Sequence, residues 1–329
     1  IYCMVINYKE SVKKILESRK KTGGIDKIYF VACGGSKAEL TIANFFLSCE
    51  AKKIKTWIYT AKEFVLCTPK ALDENSIVVT LSSSGTTKET VEAAALAQRI
   101  GAVSIVITGD DKSPLAAKGD YVFCDGDEPQ YHYSTLSLSI ALKFAVELVN
   151  QVEGYEHYDE MQNGFDILDD VIGKARKYAE NGAIAFAEAN KKEPVIHVMA
   201  SGANYNVAYT TTTCILMECQ WIHSNPIHCG EFFHGPFEIT DKEVPFLVLL
   251  GTGREREIDE RAVRFLNKYG KKVYVLDAKE FGVDVLGANV CEYLSPIVFT
   301  GVLSIYSHKL ADARSHSVYV RRYMWHVEY

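Results

Sequence analysis

Three groups of residues in this sequence are of types and spacings that do chemistry. The first is Ser82-Ser83-Ser84-Gly85-Thr86-Thr87, five hydroxyl residues in a run of six. Placed directly before a helix, such a run is an anion cradle. The helix N-terminus offers unpaired N–H groups and the positive end of the dipole. Gly85 lets the backbone approach a ligand closely, and the hydroxyls of Ser82, Ser84 and Thr87 add neutral donors. A plain helix cap accounts for one or two hydroxyls, not for five. The run is no Walker loop, because the GxxxxGK[ST] pattern and its lysine are absent, and no GxGxxG fingerprint follows either glycine turn. No dinucleotide cofactor is therefore expected, nor any other cofactor.

The second group centres on Glu218, in Thr210-Thr-Thr-Thr-Cys-Ile-Leu-Met-Glu-Cys-Gln-Trp-Ile222. Read as a helix, this segment surrounds Glu218 with Cys214, Ile215, Trp221 and Ile222, all apolar. A lone carboxylate in an apolar stripe is costly unless it is paired or used. Burial would raise its pKa toward that of a general base; capping a nearby helix or pairing with a buried cation is the structural alternative, and spacing alone favours neither. The third group lies sixteen residues on from Glu218 to His234, in Gly230-Glu-Phe-Phe-His-Gly-Pro236. Pro236 and two aromatics fix the course of that loop, and a histidine on it could shuttle protons near neutral pH; a solvent-facing or packed loop histidine is the structural alternative, and in general the commoner one. His223, His228, Cys229 and His234 are close in sequence, but their spacings match no familiar zinc pattern, so no metal is expected.

The elements that must position these groups form one unit written twice. Ile28-Tyr-Phe-Val-Ala-Cys-Gly-Gly-Ser36 is an apolar strand running into a glycine turn, and Ile196-His-Val-Met-Ala-Ser-Gly-Ala-Asn204 repeats it 168 positions later. The offset holds for Glu63-Phe64 against Glu231-Phe232 and for Ser84-Gly85 against Thr252-Gly253. A constant offset over a domain's length points to duplication rather than a solenoid. Within each unit the order is strand, helix, strand, helix, strand. Ser76–Leu81 and Val244–Leu250 are the β-branched or leucine-rich runs of strands buried on both faces. Thr87–Ile100 and Arg256–Tyr269 have helical spacing, and Ser104–Ile107 and Val273–Leu276 are the next strands. Alternating βαβ units predict an α/β fold, two tandem doubly wound parallel sheets with helices on both faces. The expected domains are 1–165 and 166–329, joined through a helical stretch from about Ser134 to Gly182. In place of the serine loop the second unit has Leu250-Gly-Thr-Gly-Arg-Glu255, so one copy keeps an anion site and the other loses it. The two copies are expected to do different jobs in one active site.

Bulk composition narrows the function class. The chain has 329 residues, 48% hydrophobic and 24% charged, the balance of a globular protein. A formal net charge of -6 argues against a phosphate-backbone binder, and no nucleic-acid partner is expected. No apolar run is long enough to span a bilayer, and no signal-peptide pattern is read at the start. The nine cysteines include no CxxC pair and read as thiols of a reducing cytoplasm, Cys3 among them.

These motifs together resemble the tandem sugar isomerase (SIS) proteins, a group that includes the isomerase half of glucosamine-6-phosphate synthase and the fructosamine or fructoselysine 6-phosphate deglycases. The residues that carry the resemblance are Ala32-Cys-Gly-Gly-Ser36, Ser82–Thr87, Met217-Glu218 and Gly230–Pro236, and it covers nearly the whole chain. The ending Val327-Glu328-Tyr329 looks most like the deglycase branch. By that resemblance Ser82, Ser83, Ser84 and Thr87 bind the substrate phosphate with help from Ser36, while Gly34, Gly35 and Ser201 belong to the substrate site. Glu218 would move a proton between C1 and C2 of an open-chain sugar, and His234 would assist ring opening. In the synthase the matching histidine comes from the partner subunit, which implies a homodimer with shared active sites.

Two departures bear on the reaction. No glutaminase domain is read in this sequence, and Tyr323 stands where the synthase has the lysine that forms a Schiff base. A ketosamine substrate needs no such lysine, because its amine already sits on C1. The reading is therefore a deglycase that returns a fructosamine 6-phosphate to glucose 6-phosphate and a free amine. An aldose–ketose isomerase or amino-sugar phosphate deaminase uses the same proton transfer, and a sugar-phosphate sensor is the alternative outside enzymes. Tyr306, Arg314 and Arg321 are candidates for the amine pocket.

Overall fold

The computed structural model of the protein describes residues 7–125 and 132–328. Cys3 and Tyr329 lie outside them. Contacts within the chain separate two compact units that divide between Tyr158 and Asp159, so the expected boundary after residue 165 falls inside a helix.

The first unit runs α1 (Tyr8–Arg19), β1 (Lys27–Ala32), α2 (Gly34–Glu50), β2 (Lys55–Thr60), α3 (Ala61–Leu66), β3 (Ser76–Leu81), α4 (Lys88–Ile100), β4 (Val103–Thr108), β5 (Tyr121–Cys124) and α5 (Ser137–Glu153). Its five strands are all parallel, in the order β2-β1-β3-β4-β5. Every residue of β3 and β4 is buried, as their β-branched sequences require of strands covered on both faces. The winding reverses between β1 and β3, and Ala32 pairs with Leu81, so these two strands end level. A ligand crevice opens at such a reversal, outside the carboxyl ends of the strands. The loops it exposes are Cys33–Ser36 and Ser82–Thr87.

In the second unit α6 (Tyr158–Asn190) leads into β6 (His197–Ala200), α7 (Tyr205–Thr210), β7 (Pro226–His228), β8 (Phe246–Leu250), α8 (Arg256–Tyr269), β9 (Val273–Asp277) and α9 (Cys291–Arg314). The sheet is again parallel, in the order β7-β6-β8-β9, which repeats the first four strands of the other unit. The 168-residue offset survives as geometry. Gly34 and Gly202 open their turns at φ +55° and +53°, and α4 and α8 begin at Lys88 and Arg256. A left-handed φ right after the strand is what lets the chain turn at once into a helix, and glycine adopts it without strain.

Two expectations need correction. The stretch from Ser134 to Gly182 is two helices, α5 and α6, broken at Gly154 (φ +79°), and the second continues to Asn190. The segment Thr210–Ile222 is not a regular α-helix: Thr211–Met217 is a π-helix, with bonds such as Glu218 N–H to the Thr213 carbonyl at 3.1 Å. Thr210, Thr211 and Thr212 donate their hydroxyls to the carbonyls of Asn206, Val207 and Ala208. Those back-bonds compete with the regular ladder and accompany its widening.

The aromatics of Gly230–Pro236 anchor the second unit's core. Phe232 is fully buried and packs edge-on against Phe233, Phe237, Phe246 and Phe265. Its counterpart Phe64 is equally buried in the first unit. No helix of the described residues is long and apolar enough to cross a membrane. Phe232→Ala is expected to lower the unfolding free energy by about 3–5 kcal/mol in urea titrations, and a loss below about 1 kcal/mol would contradict its role as anchor.

Candidate active site

The serine loop has the form of a cradle. Ser82 is buried and its hydroxyl lies 2.9 Å from that of Thr87; Ser83 and Ser84 are exposed, and Ser84 Oγ lies 2.8 Å from Thr86 Oγ1. Thr87 takes the N-cap position of α4 without capping it by a side-chain bond. The N–H groups of the first turn thus take no cap from the Thr87 side chain, an arrangement compatible with an anion there. Gly85 is forced by space as well as by its φ of +64°: a Cβ there would lie 2.1 Å from Ser113 Oγ and 2.2 Å from Ser113 Cβ. The loop is tied down from outside, by Gly109 N–H to the Ser83 carbonyl and Leu115 N–H to the Gly85 carbonyl. Across the β1/β3 reversal α2 presents Gly34, Gly35 and Ser36 at its own N-terminus, also without a side-chain cap. Nearby in the fold, Glu39 on α2 is pushed up to about 7 by burial and by the Asp125 carboxylate, a group that sequence reading missed.

The duplicate loop carries its own carboxyl group. Glu255 stands where Thr87 stands in the first copy, at the start of α8, and the side chain folds inward. A Cβ on Gly202 would lie 2.5 Å from the Glu255 carboxyl carbon, and one on Gly253 would lie 2.4 Å from its Oε2. Burial, with the Glu292 and Asp259 charges beside it, raises the Glu255 pKa to about 7. Asp259 is fully buried and likewise raised by burial, although it accepts Ser201 Oγ at 2.6 Å and Gly251 N–H at 3.1 Å. Ser201, expected at the substrate, is itself fully buried and spends its hydroxyl on Asp259.

Glu218 ends the π-helix and lines a cleft of about 570 Å³ with Met217, Trp221, Ile222, His223, Arg321, Arg322, Tyr323 and Met324. The carboxylate is not alone. Arg321 donates to the same oxygen, Oε1, from Nε at 2.8 Å and from its Nη2 at 2.7 Å. The same guanidinium reaches the Val318 and Val320 carbonyls, at 2.7 and 3.1 Å. The tail after α9 therefore holds Glu218 through one arginine, and Oε2 is left free of that grip. Of the three candidates for an amine pocket, Arg321 alone lines this cleft. Arg314 bonds the Lys191 and Gln220 carbonyls, and Tyr306 is buried beside Phe186.

His234 is exposed, its backbone held by the Glu231 carbonyl, and it is not among the residues lining the cleft. Among the described residues no three His, Cys, Asp or Glu side chains stand close enough to hold a metal. The eight cysteines described are all free thiols.

Two outcomes are expected. Inorganic phosphate should raise the melting temperature of the protein, and Gly85→Ala should both destabilise it by about 1–3 kcal/mol and shrink that rise. An undiminished phosphate shift in the variant would count against the cradle. For Glu255 the folded pKa of about 7 exceeds the ordinary 4.5, so the folded state binds the extra proton and stability falls as pH rises from about 4.5 to 7. Glu255→Gln cannot titrate, and its unfolding free energy relative to the unsubstituted protein should improve between pH 5 and pH 8. An identical difference at both pH values would refute the assignment.

Comparison with known proteins agrees with this fold. An SIS domain model matches residues 24–149, which hold the serine loop. Fructosamine deglycase FrlB of Bacillus subtilis is 43% identical over 311 residues, covering 93% of each chain. Fructoselysine 6-phosphate deglycase of Escherichia coli is 27% identical over 303 residues, covering 91% of this chain and 85% of its own. A crystal structure from Bacillus subtilis, described as a phosphosugar isomerase, superposes with a TM-score of 0.92 at 42% identity over 97% of each chain. With serine loop, duplicated parallel sheet and full-length relatives in agreement, the chain belongs to the SIS domain family.

Proposed function

We propose that the protein is a fructosamine 6-phosphate deglycase, an enzyme that reverses an Amadori product to glucose 6-phosphate and a free amine or amino acid. The observation that carries this reading is the composition of the Glu218 cleft: one carboxylate, two arginines and no lysine, with Tyr323 at the cleft wall. A carboxylate supplies a base for C–H chemistry, and the absence of a lining amine among the described residues suits a substrate that brings its own. The names of the relatives, fructosamine deglycase and fructoselysine 6-phosphate deglycase, point the same way.

In this mechanism Ser82, Ser83, Ser84, Thr87 and Ser36 hold the phosphate, with Gly34 and Gly35 leaving room for the sugar chain. His234 of the partner subunit assists ring opening in a homodimer. Glu218 then takes one of the two protons on C1 through Oε2 while the C2 oxygen gains a proton, giving the enaminol. Returning the proton to C2 yields the imine of glucose 6-phosphate. Water adds at C1 and the amine leaves. A single carboxylate acts as base and then acid, and Arg321 keeps it aimed through both steps. No cofactor enters the scheme, and the free thiols suit a reducing cytoplasm.

The test is an assay with fructoselysine 6-phosphate in which glucose 6-phosphate is followed by a coupled dehydrogenase. Glu218→Gln should lower kcat by about 10²–10⁴-fold while inorganic phosphate still stabilises the variant. Unchanged turnover would rule out Glu218 as the proton carrier. Turnover of fructose 6-phosphate with ammonia, and none of the ketosamine, would replace this reading with a deaminase.

A further inference from the structure

The two arginines of the Glu218 cleft are not equivalent. Arg321 is occupied by Glu218 and by two tail carbonyls. Arg322 is exposed and lies with its guanidinium carbon 4.2 Å from the centroid of the Trp221 ring. No carboxylate of the described residues pairs with it. The Trp221 platform is itself unusual. It sits at φ +55°, a conformation that a bulky side chain adopts only where its surroundings hold it, and such residues gather at functional sites. Its backbone N–H donates to the Met217 carbonyl, and His316 meets its ring edge-on at 4.5 Å. The indole thus has one neighbour at its edge and a guanidinium over its face, while Glu218 stands three residues away on the same cleft wall.

Stacking covers the flat face of a guanidinium and leaves its rim of N–H donors free, the edge that grips a carboxylate with two parallel bonds. In a chain of net charge -6 this cleft sets two guanidinium groups against one carboxylate. We propose that Arg322, backed by Trp221, binds a carboxylate on the amine portion of the substrate and so selects ketosamines made from amino acids over those made from simple amines. The inference rests on the deglycase reading above and assigns Arg322 a role in specificity, not in proton transfer.

The test compares two substrates that differ only by the carboxylate: the fructose 6-phosphate Amadori adducts of glycine and of methylamine. The unsubstituted enzyme should favour the glycine adduct, chiefly through KM. Arg322→Ala should raise KM for that adduct about tenfold with little change in kcat, collapsing the preference toward unity. Arg322→Lys, which keeps the charge but loses the fork, should restore part of it. Turnover of both adducts with no preference, or a preference that survives Arg322→Ala, would overturn the assignment and leave the deglycase reading standing. Turnover of fructoselysine 6-phosphate but of neither adduct would overturn the assignment alone, and turnover of none of the three would overturn both.

Discussion

Parallel strand pairing is the constraint on which the rest depends. Each strand must be re-entered from its starting edge, so every connection crosses the sheet, usually as a helix. Helices that follow strands begin at the carboxyl edge, and their unpaired N–H groups gather there. Where the winding reverses, two such loops face a common crevice. In the first unit these are Gly34–Ser36 and Ser82–Thr87, level with one another because Ala32 pairs with Leu81. A crevice flanked by two helix N-termini follows from topology before any side chain is considered. Hydroxyls line it, and Gly85 stands where a Cβ would meet Ser113.

The second unit shows the same crevice put to another use. Its reversal lies between β6 and β8, next to residues 201–204 and 251–255, but Glu255 occupies the position of Thr87 with the Asp259 charge close by. A carboxylate at a helix N-terminus is stabilised by the dipole, yet burial and like charges push this one toward protonation. The duplicated cradle is filled from within by the chain's own acid. The candidate base of that unit is Glu218, where a π-helix ends and an arginine from the C-terminal tail holds the carboxylate.

Local signals were legible in the sequence. The strand Ser76–Leu81 and the helix Arg256–Tyr269 lie where the pattern puts them, because buried parallel strands and capped helices leave their mark in consecutive residues. The hydroxyl run before α4 was legible for the same reason. What could not be read was tertiary. Periodicity near 3.6 does not distinguish an α-helix from the π-helix at Thr211–Met217. The partner of Glu218 lies 103 positions away, in a tail with no repeating pattern. Nothing in the order of residues announces that Trp221 adopts a left-handed backbone or that Arg322 lies on its ring. Glu255 could be read as a lost hydroxyl but not as a side chain folded into the vacated space.

The central claim is that a carboxylate shifts one hydrogen from C1 to C2 of a ketosamine phosphate before the amine departs. It is tested most directly with a fructosamine 6-phosphate carrying two deuterons on C1, its products analysed by nuclear magnetic resonance and mass spectrometry. Glucose 6-phosphate with a single deuteron left on C1, formed in equal amount with the free amine, is the predicted result. Release of the amine with both deuterons still on C1 would contradict it.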